Sequence, residues 1–354
     1  MKNKTTKKRI FYFDLLKFFA IFAIIALHVF QIWMNGEQIL NFDIYSLAEL
    51  TRFGVPIFLM VSGALLLNKE IDIKIFFKKR LSRIIYPFIF FFILTIIFID
   101  FIFNLGFSWN FFEYSWYFWM ILGVYLSIPI INKFIQNCSM GELEYFIIIF
   151  IVASIFYQFT LFFKFTHFLD LNFFVAPLGY VLLGYYLSKK DFDSNYSNSK
   201  HIVILSICLF VISTVLKVIG ALQIVPLELT ANYSATTSPI LSSWLDVGFL
   251  EIVQASSVFL FCRYFCKLDW SKLTFKFNSV RKIIISISSA SYGIYLINVI
   301  FMCVVRYIIV DLKLTGSEIC MNIFIISIVI LFGSWLVILI INKIPYMEKI
   351  SGYH

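Results

Sequence analysis

Three ionisable residues lie within one apolar stretch, FDLLKFFAIFAIIALHVF, which extends from Phe13 to Phe30. Lys17 and His28 are eleven residues apart, so at about 100° per residue both side chains point to the same side of a helix. They are separated by about 16 Å along its axis. Asp14 precedes Lys17 by three residues and is close enough to pair with it. Because ionisable side chains are costly in lipid, this arrangement predicts a polar cavity inside a bundle of membrane helices.

Simpler interpretations of these residues stay open. In one of them, Lys17 extends its ammonium group to the cytoplasmic interface, with Asp14 as its partner. In the other, His28 is a buried histidine that hydrogen-bonds to a neighbouring helix. The shared helical face of Lys17 and His28 favours a common role over two unrelated ones.

A second basic element, IFFKKRLSRIIYPF, places Arg80 and Arg83 three residues apart on one helical face. The excess of basic residues in cytoplasmic loops explains a basic segment, but it does not require two arginines one turn apart. Arginine is the preferred partner of phosphate oxygens. The spacing therefore favours a phosphorylated cytoplasmic substrate, with anionic lipid headgroups as the alternative.

The elements that carry these residues are predicted to be membrane-spanning helices. Hydrophobic residues make up 61% of the 354-residue chain and charged residues 14%, and the mean hydropathy is +0.91, which indicates an integral membrane protein. Because a span needs about 20 apolar residues, we predict an all-α protein with about ten transmembrane helices in a single membrane domain, residues 1–354, without an appended soluble domain. The predicted spans lie near residues 11–33, 47–67, 84–104, 116–135, 145–163, 171–188, 201–221, 244–264, 283–306 and 320–342.

Charge and cysteine usage exclude several other classes of protein. Most of the net charge of +9 lies in short loops between the apolar runs, where it predicts that both termini are cytoplasmic and does not indicate a nucleic-acid partner. Six cysteines are scattered along the chain, and Cys262 and Cys266 have no matching second pair. The sequence therefore predicts neither a metal site nor a disulfide framework. The first apolar run is long and lacks a small-residue cleavage site, so it is expected to be a retained span.

Small residues in the second predicted span, TRFGVPIFLMVSGALLLNKE, favour helix packing. Gly54 and the Ser62-Gly63 pair allow neighbouring helices to approach closely. Pro56 is expected to start or kink the helix. Near the outer end of the seventh predicted span, Lys217 is expected to extend its charge to the membrane interface.

In order along the chain, these motifs resemble those of acyltransferase family 3, a family of integral membrane O-acyltransferases. Its members carry Arg or Lys, ten residues and then His in the first span, which matches Lys17 and His28, and usually an acidic residue at the position of Asp14. The similarity extends from about Phe11 to Asn298. The further matching elements are VPIFLMVSGALL, the Arg80–Arg83 pair before Pro87, SWYFWMILGVYLSIPII, FFVAPLGYVLLGYYLSKK and SASYGIYLIN.

The sequence departs from the family pattern in three places. Lys17 replaces the more frequent Arg, so bidentate phosphate binding is lost there. Position 298 is Asn where many members have His, so we assign it no proton-transfer role. Many relatives carry an additional esterase-like domain, whereas this chain stops at His354. We expect either direct transfer to the acceptor or a separate extracytoplasmic partner.

The resemblance implies an acyl-CoA donor, usually acetyl-CoA, as a substrate, with no permanently bound cofactor. It implies a lipid-linked or polymeric sugar as acceptor, such as a cell-envelope or surface polysaccharide, and a bacterial cytoplasmic membrane with its lipids as the location. Because acyl transfer from a thioester needs a base or a nucleophile, His28 is the candidate catalytic residue, as base or as acyl carrier. The candidate donor-binding residues are Lys17, Arg80 and Arg83, supported by Asp14 and Ser62.

Candidates for an acceptor cavity are Glu251, Trp116 and Tyr117. Glu251 and Gln254 are three residues apart in the eighth predicted span and share a face, although they could equally lie at a helix end. Trp116 and Tyr117 would stack on a glycan or form an interfacial aromatic belt.

Two other functions also fit a polytopic protein with buried charges. The first is a transporter or exporter of a lipid-linked or surface glycan. The lack of a visible internal repeat argues against it, because many transporters are built from repeats. The second is a non-catalytic factor in polysaccharide assembly, for which His28 and Arg83 would be dispensable.

Overall fold

A computed structural model describes residues 9–34, 48–98, 116–162, 172–192, 196–224, 248–268, 274–309 and 316–354. These parts form ten α-helices and contain no strand, which confirms the all-α prediction. The helices are α1 (Phe11–Met34), α2 (Gly54–Leu66), α3 (Ile73–Ile97), α4 (Trp116–Asn137), α5 (Met140–Phe162), α6 (Asn172–Lys189), α7 (Tyr196–Ile224), α8 (Phe249–Phe265), α9 (Thr274–Ile309) and α10 (Gly316–Lys343).

Each predicted span overlaps one of these helices. Residues 47, 99–104, 163, 171 and 244–247 of the predicted spans lie outside the described residues. Within the described residues, seven segments are long and apolar enough to cross a membrane by length and composition, and they lie in α1, α2 with the turn before it, α3, α4, α7, α9 and α10. The protein is therefore a multi-pass membrane protein, and the count of ten spans stays a prediction. α3 begins at Ile73, earlier than the predicted span, because the Asp72 side chain caps it by accepting a hydrogen bond from the Ile75 N–H at 2.9 Å.

α1 occupies the centre of the bundle, where it packs against α2, α8, α9 and α10. Leu16, Ala20, Ile21 and Ile25 are completely buried along its length. Since so many helices surround α1, its ionisable side chains face protein rather than lipid. This agrees with the position expected for Lys17 and His28.

Small residues bring α2 and α6 into backbone contact, as the sequence predicts for Gly63. A Cβ atom at Gly63 would lie 1.8 Å from the Val181 carbonyl oxygen. A Cβ atom at Gly184 of α6 would lie 2.1 Å from the Met60 carbonyl oxygen. Each helix therefore seats a glycine against the other's backbone, which fixes how α2 presents Ser62 to the interior.

We expect Gly63→Ala to lower the free energy of unfolding by about 3 kcal/mol, because overpacking forces two backbones apart. Thermal unfolding of the detergent-solubilised protein measures the effect. The matched control is Gly123→Ala on α4, where an added Cβ meets no atom within 4 Å. Equal unfolding midpoints for the two variants would contradict the close α2–α6 contact.

Candidate active site

A cavity of about 300 Å³ lies between α1, α2, α3, α4 and α9. Its wall includes four cationic side chains, those of Lys17, Lys69, Arg80 and Arg83. Of the described residues, no Asp or Glu lines it. The cavity is therefore a region of positive charge partly enclosed by apolar helices, and it suits an anionic ligand.

The structure brings together most of the residues that the sequence singled out. Lys17, Ser62, Arg80, Arg83 and Tyr117 line this one cavity although four different helices contribute them. Arg80 and Arg83 both face the cavity from one side of α3, as their spacing predicts. Helical spacing grouped Arg80 with Arg83, and both meet Lys17 at this cavity. His28, which spacing grouped with Lys17, does not line it.

Three of the cations face the cavity without a counter-ion. Among the described residues, Lys17, Arg80 and Arg83 form no ion pair. The hydroxyl groups of Tyr125 and Ser62 interact at the same end of the cavity, where the charges of Arg80 and Arg83 also act on Tyr125. The Asp14 carboxylate acts on Lys17 but is bonded to Arg9. Positive charges clustered in this way destabilise an empty site and favour an anion that would neutralise them.

The expected pair between Asp14 and Lys17 is wrong. The Asp14 carboxylate instead accepts two hydrogen bonds from Arg9, at 2.6 and 2.8 Å, and one from the Ser288 hydroxyl at 2.7 Å. Arg9 also donates to Ser289 Oγ at 2.9 Å. Arg9 lies before α1, where the sequence argument used basic residues only for topology. Because Arg9 engages Asp14, the ammonium group of Lys17 stays available to the cavity.

Several α9 residues without a role assigned from the sequence also line the cavity. They belong to the SASYGIYLIN motif or directly precede it, and they are Ser288, Ser289, Ser291, Tyr292 and Tyr295. Their spacing carried a usable signal, because Ser288, Ser291, Tyr292 and Tyr295 follow the i, i+3, i+4, i+7 pattern of one helical face. A polar stripe on an apolar helix predicts a face turned toward a polar cavity.

His28 lies just beyond the deep end of the cavity. Tyr117 precedes Tyr125 by eight residues on α4, a rise of about 12 Å away from the arginines. The Tyr117 and Tyr295 ring centroids are 4.9 Å apart, and the Tyr295 centroid is 6.5 Å from that of His28. His28 does not itself line the cavity. The ring of Tyr295 therefore lies between the cavity and the imidazole of His28.

Asn298 is the polar neighbour of His28. It is completely buried, and neither of its side-chain polar atoms has a hydrogen bond of ordinary geometry. Its side chain interacts with the imidazole of His28, so the contact is looser than an ordinary hydrogen bond. A buried polar group left in this way costs about 1–3 kcal/mol, and such groups occur at sites that have a function beyond stability.

Glu251 lies away from this cavity, in a buried ion network between α7, α8 and the turn that precedes α2. Lys217 forms ion pairs there with Glu251 and, at 3.1 Å, with Glu49. Arg52 pairs with Glu49 at 2.7 Å, and Gln254 accepts from Lys217 at 3.2 Å. The expectation that Lys217 extends to the membrane interface is wrong, because its side chain is only 10% exposed.

Comparison with known proteins gives one match. A family model described as an acyltransferase domain matches residues 10–341, nearly the whole chain. The chain belongs to acyltransferase family 3. No curated protein and no solved structure matches it. The protein is thus a membrane acyltransferase, and the family match includes every cavity residue except Gly352 and His354.

The geometry offers this family 3 acyltransferase two chemically different regions. At one end, unpaired guanidinium and ammonium groups can bind phosphate oxygens. At the other end, beyond Tyr295, an imidazole is able to accept a proton or an acyl group. Trp116 does not line the cavity, although its ring centroid is 6.1 Å from that of Tyr117 at the deep end.

Proposed function

We propose that this protein transfers an acyl group, acetyl in its native reaction, from cytoplasmic acyl-CoA to a sugar hydroxyl of a cell-envelope or surface polysaccharide. The observation that carries the proposal is the cavity in which Lys17, Arg80 and Arg83 face one another without a counter-ion. CoA carries its negative charge on phosphates, and its acyl group sits at the end of a long flexible arm. A basic region joined to a deeper, apolar one suits that division.

The donor would bind with its phosphates at Arg80, Arg83 and Lys17. The arginines present planar forks to phosphate oxygens, while Lys17 acts as a point charge. The cavity volume of about 300 Å³ is at the lower end for small-molecule sites, so it accommodates the arm and part of the phosphates rather than the whole donor. The acyl group would then approach Tyr295 and His28.

His28 would carry out the proton or acyl transfer. As a base, it takes the proton of the acceptor hydroxyl while the hydroxyl oxygen bonds to the thioester carbonyl carbon and the carbon–sulfur bond breaks. As an acyl carrier, its nitrogen bonds to that carbon while the carbon–sulfur bond breaks and the sulfur takes the imidazole proton. The acyl group then moves to the hydroxyl oxygen, whose proton returns to the imidazole. In both routes CoA leaves as the thiol and the imidazole is regenerated. Asn298 would hold the imidazole in orientation.

Ten spans with both termini in the cytoplasm, in a bacterial cytoplasmic membrane, would put Arg80 and Arg83 at the cytoplasmic edge, where the donor arrives. Trp116 and Tyr117 would meet the sugar from the other side. Glu251 has no part in this proposal, because Lys217 engages its carboxylate. The transfer would go directly to the glycan or through a separate extracytoplasmic partner.

The test is transfer of radiolabel from acetyl-CoA to native surface polysaccharide in membrane vesicles, together with calorimetric CoA binding by the purified full chain. We expect Arg83→Ala to weaken CoA binding about tenfold to a hundredfold, the effect of losing a charge-assisted hydrogen bond of roughly 1.5–3 kcal/mol. Label transfer at subsaturating acetyl-CoA should fall in proportion.

Lys79→Ala is the matched control, because it removes one positive charge from the same segment of α3 at a position that does not line the cavity. It should leave CoA binding within about twofold of wild type.

If wild type transfers no label and polysaccharide reaches the cell surface only when the chain is present, the exporter interpretation replaces this one.

A further inference from the structure

The segment Ser351–His354 folds back against α9. Ser351 is completely buried, and its hydroxyl donates to the Asn342 side-chain oxygen at 3.0 Å. The backbone N–H of His354 donates to the Ser289 carbonyl oxygen at 2.7 Å. These bonds attach the segment both to α10, which precedes it, and to the helix that forms one wall of the cavity.

Two glycines bring the segment into backbone contact with α9. Gly352 has a φ of +71°, and a Cβ atom there would lie 2.7 Å from the Gly293 backbone nitrogen. A Cβ atom at Gly293 would lie 2.3 Å from the Ser351 carbonyl oxygen. Only glycine fits both the left-handed conformation and the close approach. The segment is therefore seated in a specific position rather than resting on the surface.

This placement brings His354 to the cavity. His354 and Gly352 line the same wall as Lys17, Arg80 and Arg83. One ring nitrogen of His354 lies 3.3 Å from the Arg83 carbonyl oxygen. The side chain stays accessible from the cavity. An imidazole is thus held beside three cations that have no counter-ion among the described residues.

We propose that His354 is a further donor-binding residue, which contacts the phosphates of the acyl-CoA beside Arg83. This inference rests on the proposed donor and extends it to a residue outside the family match, which ends at residue 341. His354 completes the basic end of the cavity from a segment that follows the last helix. A site assembled from α1, α3 and this segment would enclose the phosphates on three sides.

The charge of His354 should depend on whether the cavity is occupied. Burial lowers the pKa of His354, and the positive charges of Arg83, Lys17 and Arg80 lower it further, although a backbone contact with Arg83 opposes them. Lys69 lines the same cavity, and Arg9 acts on the adjacent Tyr353. A bound phosphate reverses this field and stabilises the imidazolium form. CoA binding should therefore include proton uptake by His354 and strengthen as the pH falls.

The experiment is calorimetric titration of the full chain in lipid nanodiscs with CoA at pH 6, 7 and 8. We expect His354→Ala to weaken binding about tenfold at pH 6 and about threefold at pH 8, because only the protonated imidazole forms a charge-assisted bond. Comparing wild type and variant at each pH cancels the titration of the CoA phosphates. Titrations in two buffers of different ionisation enthalpy should show fewer protons taken up by the variant.

Two further variants make the result specific. His354→Gln keeps a hydrogen-bonding side chain of similar size and should lose the pH-dependent part alone. His201→Ala, at an exposed position on α7, should bind like wild type. If Arg83→Ala weakens CoA binding while both His354 variants bind like wild type at every pH, the role of His354 is refuted and the proposed donor stands. If wild type binds no CoA, both proposals fail.

Discussion

His28→Ala is expected to reduce acyl transfer by roughly a hundredfold to ten-thousandfold, the usual contribution of a positioned general base. The loss follows from the position of the imidazole, one aromatic ring beyond a cavity that ends at Tyr295. The protein should still fold, because the neighbouring Asn298 already lacks a hydrogen bond of ordinary geometry in the wild type. Removing the imidazole therefore leaves no well-bonded polar group without its hydrogen-bond partner.

Transfer of label at saturating acetyl-CoA measures the effect, at expression levels matched to wild type. CoA binding by His28→Ala should be nearly unchanged, because Lys17 and the arginines lie at the opposite end of the cavity. His201→Ala is the matched control for removal of a histidine. Loss of both CoA binding and cooperative unfolding would mean that His28 is a structural histidine of the core.

The same proteins distinguish the two roles of His28. An acyl carrier should retain label on the protein when acetyl-CoA is supplied without an acceptor, and His28→Ala should not. A general base should retain none in either protein. Quenched, denatured samples separated by electrophoresis measure the retained label.

Lys217→Met is expected to cause the largest loss of stability, about 3–5 kcal/mol. Lys217 pairs with Glu49 and Glu251, whose side chains are 6% and 1% exposed. Methionine preserves most of the apolar stem but removes the charge, so two buried carboxylates lose their shared partner. The thermal midpoint of the detergent-solubilised protein should fall well below that of Lys133→Met, which removes an exposed lysine from α4.

Removing the charge of Glu251 as well should restore part of the stability that Lys217→Met loses. Glu251→Gln alone leaves Lys217 with Glu49 and should cost less than Lys217→Met. The double variant should be more stable than the sum of the two single changes predicts, since the residues interact directly. A Lys217→Met protein within about 1 kcal/mol of the Lys133→Met control would show that the network contributes little to stability.

The spacing of residues in the sequence predicted the properties of individual helices, namely their positions in the chain and which of their side chains share a face. Apolar runs located the ten helices of the described residues, and helical spacing placed Arg80 and Arg83 on one face, which is turned toward the cavity. Which helices meet is decided by packing across the bundle, and no spacing encodes it. For that reason the partner of Asp14 was misassigned, and the pairing of Glu251 with Lys217 was missed.

Residues with no charge were the hardest to identify in advance. Tyr295 and Asn298 lie in a motif that was used for resemblance alone, yet one ends the cavity and the other contacts His28. His354 gave no signal because the segment that carries it has neither apolar periodicity nor a helix. Its position depends on a glycine-to-glycine contact between residues far apart in the chain.

The bond between Ser288 and Asp14 joins residues 274 positions apart, which matters during synthesis. At a translation rate of roughly 5–20 residues per second, Ser288 leaves the ribosome roughly 15 to 55 s after Asp14. During that time α1 enters the bilayer without α9 beside it. Arg9 is only five residues from Asp14, so it can neutralise the carboxylate at once, whereas Lys17 waits for the later helices. Nascent chains stalled before α9 should therefore leave the Lys17 cation without its final helix neighbours, which is costly in a bilayer.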